Sequence, residues 1–155
     1  MKQRSLNVKI REMIIDDLAR VYHMGEELFT SDKFPNLYRV WDEYAVTHMF
    51  EFEPELCLVA TYRKKIIGFT LGYVIEKPRT AWSYGHLMWL GVDPVYQKMD
   101  IGRRLLEQFT DIMKEKGVRI LLIDTQADNK AALKFFRKNG FRKPTKHLYM
   151  MKNLG

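Results

Sequence analysis

The sequence predicts an α/β (α+β) domain: a mixed, mostly antiparallel twisted sheet of six to seven strands flanked by about four helices. Three observations predict it. Strand patterns between positions 56 and 92 follow one another, the first two across a short basic turn, as hairpins do. A helical pattern then separates the apolar strand ending at Val92 from the apolar strand ending at Thr125, which makes a parallel crossover. No Pro/Gly/Ser-rich linker, repeat or low-complexity run divides the 155 residues, so a single domain is expected over 1–155.

In order, Val8 to Met13 alternates and reads as a strand. Asp16 is placed to cap a helix running to about Glu27, with Leu18, Val21, Tyr22 and Leu28 at helical spacing. A loop from Phe29 to Pro35 precedes a second helix, about Leu37 to Phe50, which the acidic stretch 51–55 ends. Leu56 to Tyr62 and Ile66 to Ile75 are strands joined at Arg63-Lys-Lys65, and Trp82 to Val92 is a third, interrupted by Gly85 and Gly91. Ile101 to Lys116 is an amphipathic helix closed by Gly117, with Ile101, Leu105, Phe109, Ile112 and Met113 inward. Arg119 to Thr125 reads as a buried central strand. Asn129 to Lys138 is a helix with Gly140 beyond its end, and Phe141 and His147 to Leu154 are short closing strands.

Charge is divided unevenly along the chain. Residues 1–93 hold 12 Lys/Arg against 13 Asp/Glu, whereas residues 94–155 hold 14 against 6, so the basic half suits a polyanionic ligand. The single Cys57 forms no internal disulfide, and four scattered His offer no metal-ligand spacing, so no metal is expected. No apolar run approaches the roughly 18 residues that span a bilayer, and the first residues lack the apolar core of a signal peptide. A reduced, cytoplasmic protein without a membrane partner is expected, as monomer or homodimer. No helix-turn-helix, zinc spacing or aromatic nucleic-acid motif is present, so no specific nucleic-acid partner is expected despite the pI near 9.5.

The basic half opens on Val92-Asp-Pro-Val-Tyr-Gln-Lys-Met-Asp-Ile-Gly-Arg103. A strand ends, Pro94 breaks it, and a helix starts near Ile101, with Gly102 where backbone must approach a ligand. Unpaired N–H groups at a helix N-terminus, together with the helix dipole, favour an anion such as the phosphates of a cofactor.

Four segments in this order resemble the GCN5-related N-acetyltransferase (GNAT) superfamily, over almost the whole chain. Ile10-Arg-Glu with Asp16-Asp-Leu18 resembles its first strand and helix, and Leu90-Gly-Val-Asp-Pro94 the end of its fourth strand. Gln97-Lys-Met-Asp-Ile-Gly102 lies over its pyrophosphate loop, Q/R-x-x-G-x-G/A, and Asn129 to Phe141 resembles the helix-and-strand motif that follows. The resemblance implies a GNAT-like sheet whose central parallel strands splay apart around acetyl-CoA. It implies that Leu90, Gly91 and Val92 bind the pantetheine arm and thioester carbonyl. Gln97, Lys98, Met99, Asp100, Ile101, Gly102 and Arg103 then form the pyrophosphate loop. Asn129 bonds the pantetheine, and Phe136 packs near the sulfur. Lys98, Arg103, Arg104, Lys134 and Arg137 are candidates for the phosphates.

Two positions depart from the family pattern. Asp100 stands where the loop usually has its first glycine, either capping the helix and facing away or weakening cofactor binding. Phe136 stands where many members have a tyrosine that protonates the leaving thiolate, with Tyr84, His147 and Tyr149 as possible substitutes.

The implied reaction transfers acetyl to a primary amine, by direct attack in a ternary complex, and needs a proton acceptor. Asp124 is the first candidate, at the carboxyl end of Ile120-Leu-Leu-Ile-Asp124 and five residues before Asn129, the spacing at which family members acting on protein N-termini carry a catalytic Glu. His86 is the second candidate. Phe29, Tyr38, Trp41 and Tyr84 are candidates for the acceptor pocket, beside Glu26, Glu27, Asp42 and Glu43, which suits a peptide amine or a small cationic amine. The competing reading is an acyl-CoA-binding sensor that has lost turnover, supported by Phe136 and Asp100.

Overall fold

The computed structural model describes residues 6–29, 40–77, 79 and 81–155. Five strands form one sheet in sequence order: β1 (Lys9–Glu12), β2 (Leu58–Tyr62), β3 (Lys65–Glu76), β4 (Ser83–Val92) and β5 (Ile120–Leu122). The first four are antiparallel neighbours, and β4 and β5 are parallel. The α-helices among the described residues are α1 (Leu18–Phe29), α2 (Glu43–Phe52), α3 (Ile101–Glu115) and α4 (Lys130–Lys138).

Each face of the sheet carries its own core. On one, Ile101, Leu105, Phe109 and Met113 of α3 pack on Leu58, Ala60, Ile67 and Leu87. These four helix residues recur at intervals of four, so a single stripe is buried, and each such side chain contributes about 1.5–3 kcal/mol. On the other, Val21 and Met24 of α1 and Val46 of α2 pack on Val59, Phe69, Leu71 and Trp89. Gly25 lets Trp41 reach this core: a β-carbon there would lie 2.0 Å from the indole. Arg11 and Asp17 pin the start of α1 to β1, at 2.6 Å and 3.0 Å, and the same carboxylate accepts from the Ile14 N–H at 2.9 Å. The Arg11 guanidinium holds the Asp17 carboxyl below the usual carboxylate range.

The middle of β4 carries an extra residue. Leu71 pairs with Trp89 but Gly72 pairs with Leu87, so Met88 is bulged out and the alternation reverses there. Before the bulge, Gly85 and Leu87 face α3, and a β-carbon on Gly85 would lie 2.6 Å from Met113 Sδ. After it, Trp89 and Gly91 face α1, and a β-carbon on Gly91 would lie 2.8 Å from Phe69 and 2.9 Å from Leu28. Gly85 and Gly91 therefore mark close approaches within one continuous strand rather than interruptions of it.

Four expectations change. The sheet has five strands among the described residues, not six to seven, because Phe141 and His147 to Leu154 form no ladder. Lys143 at φ 56° and Pro144, which has no N–H, break the chain between them. β5 spans three residues rather than the whole run 119–125, and is half-buried because its outer edge has no strand partner among the described residues. α2 starts at Glu43, not near Leu37, because the Asp42 carboxylate caps it by accepting from the Ala45 N–H at 2.8 Å. At the first helix the side chain that bonds backbone is Asp17, and a single 3-10 turn over Ile15–Asp17 precedes α1.

Candidate active site

β4 and β5 stay paired only from Tyr84↔Ile120 to His86↔Leu122. Beyond that register they part. A cavity of about 820 Å³ opens between them, lined by Leu87 to Val92 on one side and Ile123 to Gln126 on the other. The edge of β4 facing this gap has no strand partner among the described residues. The splay and the gap form because β4 continues, bulged at Met88, while β5 stops at Leu122.

The floor at the helix end is a tight loop. The Asp93 carboxylate accepts from the Val95 N–H at 3.0 Å, and Gln97 Nε2 donates to the Val92 carbonyl at 3.2 Å, which folds the chain back over the strand end. Lys98 (φ 65°) and Asp100 (φ 67°) both take the left-handed conformation. Asp100 therefore sits where a glycine is relaxed, and Asp tolerates that region better than most residues. It occupies the N-cap of α3 without a side-chain capping bond. Its carboxylate is instead held by Arg103, whose Nε donates to Oδ1 at 2.7 Å and which also pairs with Glu107. That guanidinium lowers the Asp100 pKa below the usual carboxylate range and offsets its charge. Arg103 is thus engaged by two carboxylates, and Arg104 turns away to donate to the Val8 carbonyl at 2.8 Å, outside the cavity.

The cofactor-side expectations converge on this cavity. Leu90, Gly91, Val92, Gln97, Lys98, Asp100, Ile101, Gly102, Arg103, Asn129 and Phe136 line it; Met99 lies in the same loop, half exposed, but not on the wall. Asn129 caps α4 by accepting from the Ala132 N–H at 3.1 Å through its side-chain oxygen, which leaves its amide nitrogen as a donor. Sequence reasoning missed Tyr96, Thr125, Phe135 and Lys138, which also line it. Their signal was proximity to named residues along the chain, which is too common to single them out.

The acceptor-side expectations divide. Phe29 ends α1 on the cavity wall, 4.6 Å from the Trp89 ring. Trp41 does not reach the cavity: it is 4% exposed and donates from Nε1 to the Tyr22 carbonyl at 2.9 Å, as a core residue. Tyr84 lies on β4 below the splay, with Lys77 Nζ 4.9 Å above its ring. Tyr149 is 67% exposed in the C-terminal segment and, like His147, is not on the cavity wall. Tyr38 lies outside the described residues.

Asp124 and His86, named separately from sequence, meet in space. His86 Nε2 is 2.9 Å from Asp124 Oδ1, with Asp124 on the cavity wall and His86 behind it. Cys57 offers no competing chemistry. It is buried, and burial with Glu55 and Glu53 nearby pushes its thiol up to about 12, so it supplies no thiolate near neutral pH. Among the described residues, no group of three or more His, Cys, Asp or Glu is placed to hold a metal ion.

The family model for the acetyltransferase (GNAT) family matches residues 20–141. The chain belongs to that family. The acetyltransferase is 28% identical over 129 residues to the [ribosomal protein bS18]-alanine N-acetyltransferase of Escherichia coli K12, covering 83% of this chain and 77% of the relative. It is 25% identical over 101 residues to N-alpha-acetyltransferase 30 of Schizosaccharomyces pombe, covering 65% and 67%. Among solved structures, a chain of the NatC complex bound to Gag peptide and CoA has a TM-score of 0.77 at 18% identity, over 90% and 87% of the two chains. An aminoglycoside acetyltransferase from a soil metagenome, in complex with sisomicin, has 0.73 at 20% identity, over 94% and 97%. These two likenesses show the fold. As a family member, this acetyltransferase moves an acetyl group from acetyl-CoA to a primary amine. The site fits that donor: a strand edge with no neighbouring strand among the described residues for an amide-bearing arm, and a helix N-terminus with Gly102 for a pyrophosphate. Among the described residues no helix is long and apolar enough to cross a membrane.

Proposed function

We propose that the chain acetylates the terminal α-amine of a protein or peptide in the cytoplasm, with Asp124 as the proton acceptor. The observation that carries this reading is the carboxylate of Asp124, tied by His86 at the point where β4 and β5 part. Support for the acceptor comes from the curated relatives, whose names specify an alanine of ribosomal protein bS18 and an N-alpha position.

In this reading the edge of β4 at Leu90 and Val92 bonds the pantetheine arm, and the loop N–H groups from Lys98 to Arg103 hold the pyrophosphate. Asn129 donates its amide to the arm, and Phe136 packs at its end. Bound acetyl-CoA supplies an activated acyl carbon and a thiol leaving group. The protein holds that carbon next to the incoming amine, an effect worth up to roughly 7–11 kcal/mol. Asp124 takes the proton released by the amine as the C–N bond forms, directly or through one water. Phe136 donates no proton, and the coenzyme A thiol is acidic enough to leave with little assistance. Phe29 and the exposed side of α1 border the acceptor's approach.

Release of free thiol from acetyl-CoA is measured with peptides of varied first residue, polyamines, amino acids and aminoglycosides. Turnover with peptides that exceeds all other classes is the expected result. Preference for a small amine overturns the acceptor assignment. Binding of acetyl-CoA without turnover on any amine favours the sensor reading.

A further inference from the structure

Two neighbouring strands and the segment that follows a third each contribute one side chain to a hydrogen-bonded chain across the sheet. Tyr73 on β3 stands directly opposite His86 on β4, and the Tyr73 hydroxyl is 2.9 Å from His86 Nδ1. Their rings meet edge to face at 5.2 Å. His86 Nε2 then reaches Asp124 Oδ1, beyond the last residue of β5. Asp124 lines the cavity and the other two do not, so the chain leads from the carboxylate back into the sheet.

The chemistry of the groups assigns the protons. An ionised carboxylate only accepts, so Nε2 donates to it. A neutral imidazole with its proton on Nε2 has only a lone pair at Nδ1, and the Tyr73 hydroxyl is the donor that meets it. Because a hydroxyl rotates, the same oxygen accepts from Nδ1–H when the ring is cationic, and the ring need not move. The ionised carboxylate keeps the proton on Nε2 in either case. Without the phenol, Nδ1 loses its donor and the ring loses the bond that fixes its plane from the β3 side.

Exposure shows why such a tie matters. The Asp124 side chain is 42% exposed, and that of His86 is 16% exposed. A carboxylate at the edge of solvent samples several rotamers unless a fixed partner holds it. His86 is one such partner, and the plane of its ring is held by a third group, the Tyr73 phenol.

We propose that Tyr73 is a positioning residue for acetyl transfer: its phenol fixes the plane of the His86 ring, and the Nε2–H of that ring holds the Asp124 carboxylate at the cleft. The proposal rests on Asp124 being the proton acceptor.

The test is Tyr73→Phe, which keeps the ring and removes only the hydroxyl. The effect passes through two groups, and the expected loss is about tenfold to 100-fold in kcat, with KM for acetyl-CoA and the thermal midpoint nearly unchanged. NMR relaxation of the His86 ring is expected to show an ordered ring in the parent and a mobile one in the variant. His86→Gln supplies the control. Its amide donates from about the position of Nε2 without the ring, so adding Tyr73→Phe to it should cause no further loss. A kcat unchanged by Tyr73→Phe, a loss of kcat with the ring equally ordered, or an equal further loss in the His86→Gln background each overturns the proposal. If the parent protein turns over no amine, it is the acetyl-transfer reading that fails, and the ring relaxation alone then decides whether Tyr73 fixes the ring.

Discussion

The two sides of the cleft are built from different material. The cofactor side is backbone: the open edge of β4, a loop with left-handed residues at Lys98 and Asp100, and two helix N-termini at Ile101 and Lys130. The acceptor side is made of side chains: Phe29 on the wall, and the Asp124 carboxylate tied by His86. Backbone groups are the same in every residue, so what matters on the cofactor side is which positions lack a β-carbon or take positive φ. On the acceptor side what matters is which side chains the fold brings together. The first side should therefore tolerate substitution of most side chains and fail when backbone access is blocked. The second should fail on the loss of one functional group.

Gly102→Glu breaks the first side outright. A β-carbon at Gly102 meets only the Phe135 ring at 3.4 Å, so the fold should survive, while bulk and negative charge enter the helix N-terminus facing the ligand. Coenzyme A affinity by calorimetry is expected to fall by about 100-fold or more. Asp124→Asn probes the second side. It keeps the volume and removes the proposed proton acceptor, so kcat should fall by about 100-fold while KM for acetyl-CoA stays nearly constant. Equal losses in kcat and affinity for either variant would dissolve the distinction between the two sides.

Asp17 tests how the acceptor-side helix is anchored. Its pKa is lowered, first by the hydrogen bond from Arg11, so its contribution is present above the unfolded value of about 3.9 and is lost as pH falls through the folded value. Asp17→Asn should destabilise the protein by about 1–2 kcal/mol at neutral pH, discounted because Arg11 is 42% exposed. The difference should vanish in acid, which denaturant melts at several pH values will show. The smallest effect is expected from Asp100→Gly. It relieves a left-handed residue and removes a carboxylate beside the phosphate site, so coenzyme A affinity should rise a few-fold. A fall in affinity would mean that the Asp100–Arg103 pair shapes the loop.

The same contrast explains what could be read in advance. Pro94, Gly102 and the spacing to Asn129 are backbone signals, and nearly every residue they singled out lines the cavity. His86 and Asp124 stood out only singly, because their meeting depends on the parallel register of β4 and β5, which strand patterns do not contain. The Met88 bulge hid the facing of β4, since one extra residue reverses the alternation beyond it. Trp41 looked like a pocket aromatic because the sequence does not show that Gly25 opens a seat for it in the core. The closing strands failed at Lys143 and Pro144, where local backbone conformation overrode an apolar pattern.

The central claim is that the parted strands and the α3 N-terminus hold the donor through main-chain groups. Titration of ¹⁵N-labelled protein with acetyl-CoA tests it most directly. The amides of Leu90 to Val92 and Lys98 to Arg103 are expected to shift most. Those of the groove formed by Val8 to Arg11 and Gln108 on the opposite side of α3 should stay in place. Shifts concentrated in that groove, with the amides of the cleft unmoved, would contradict the account.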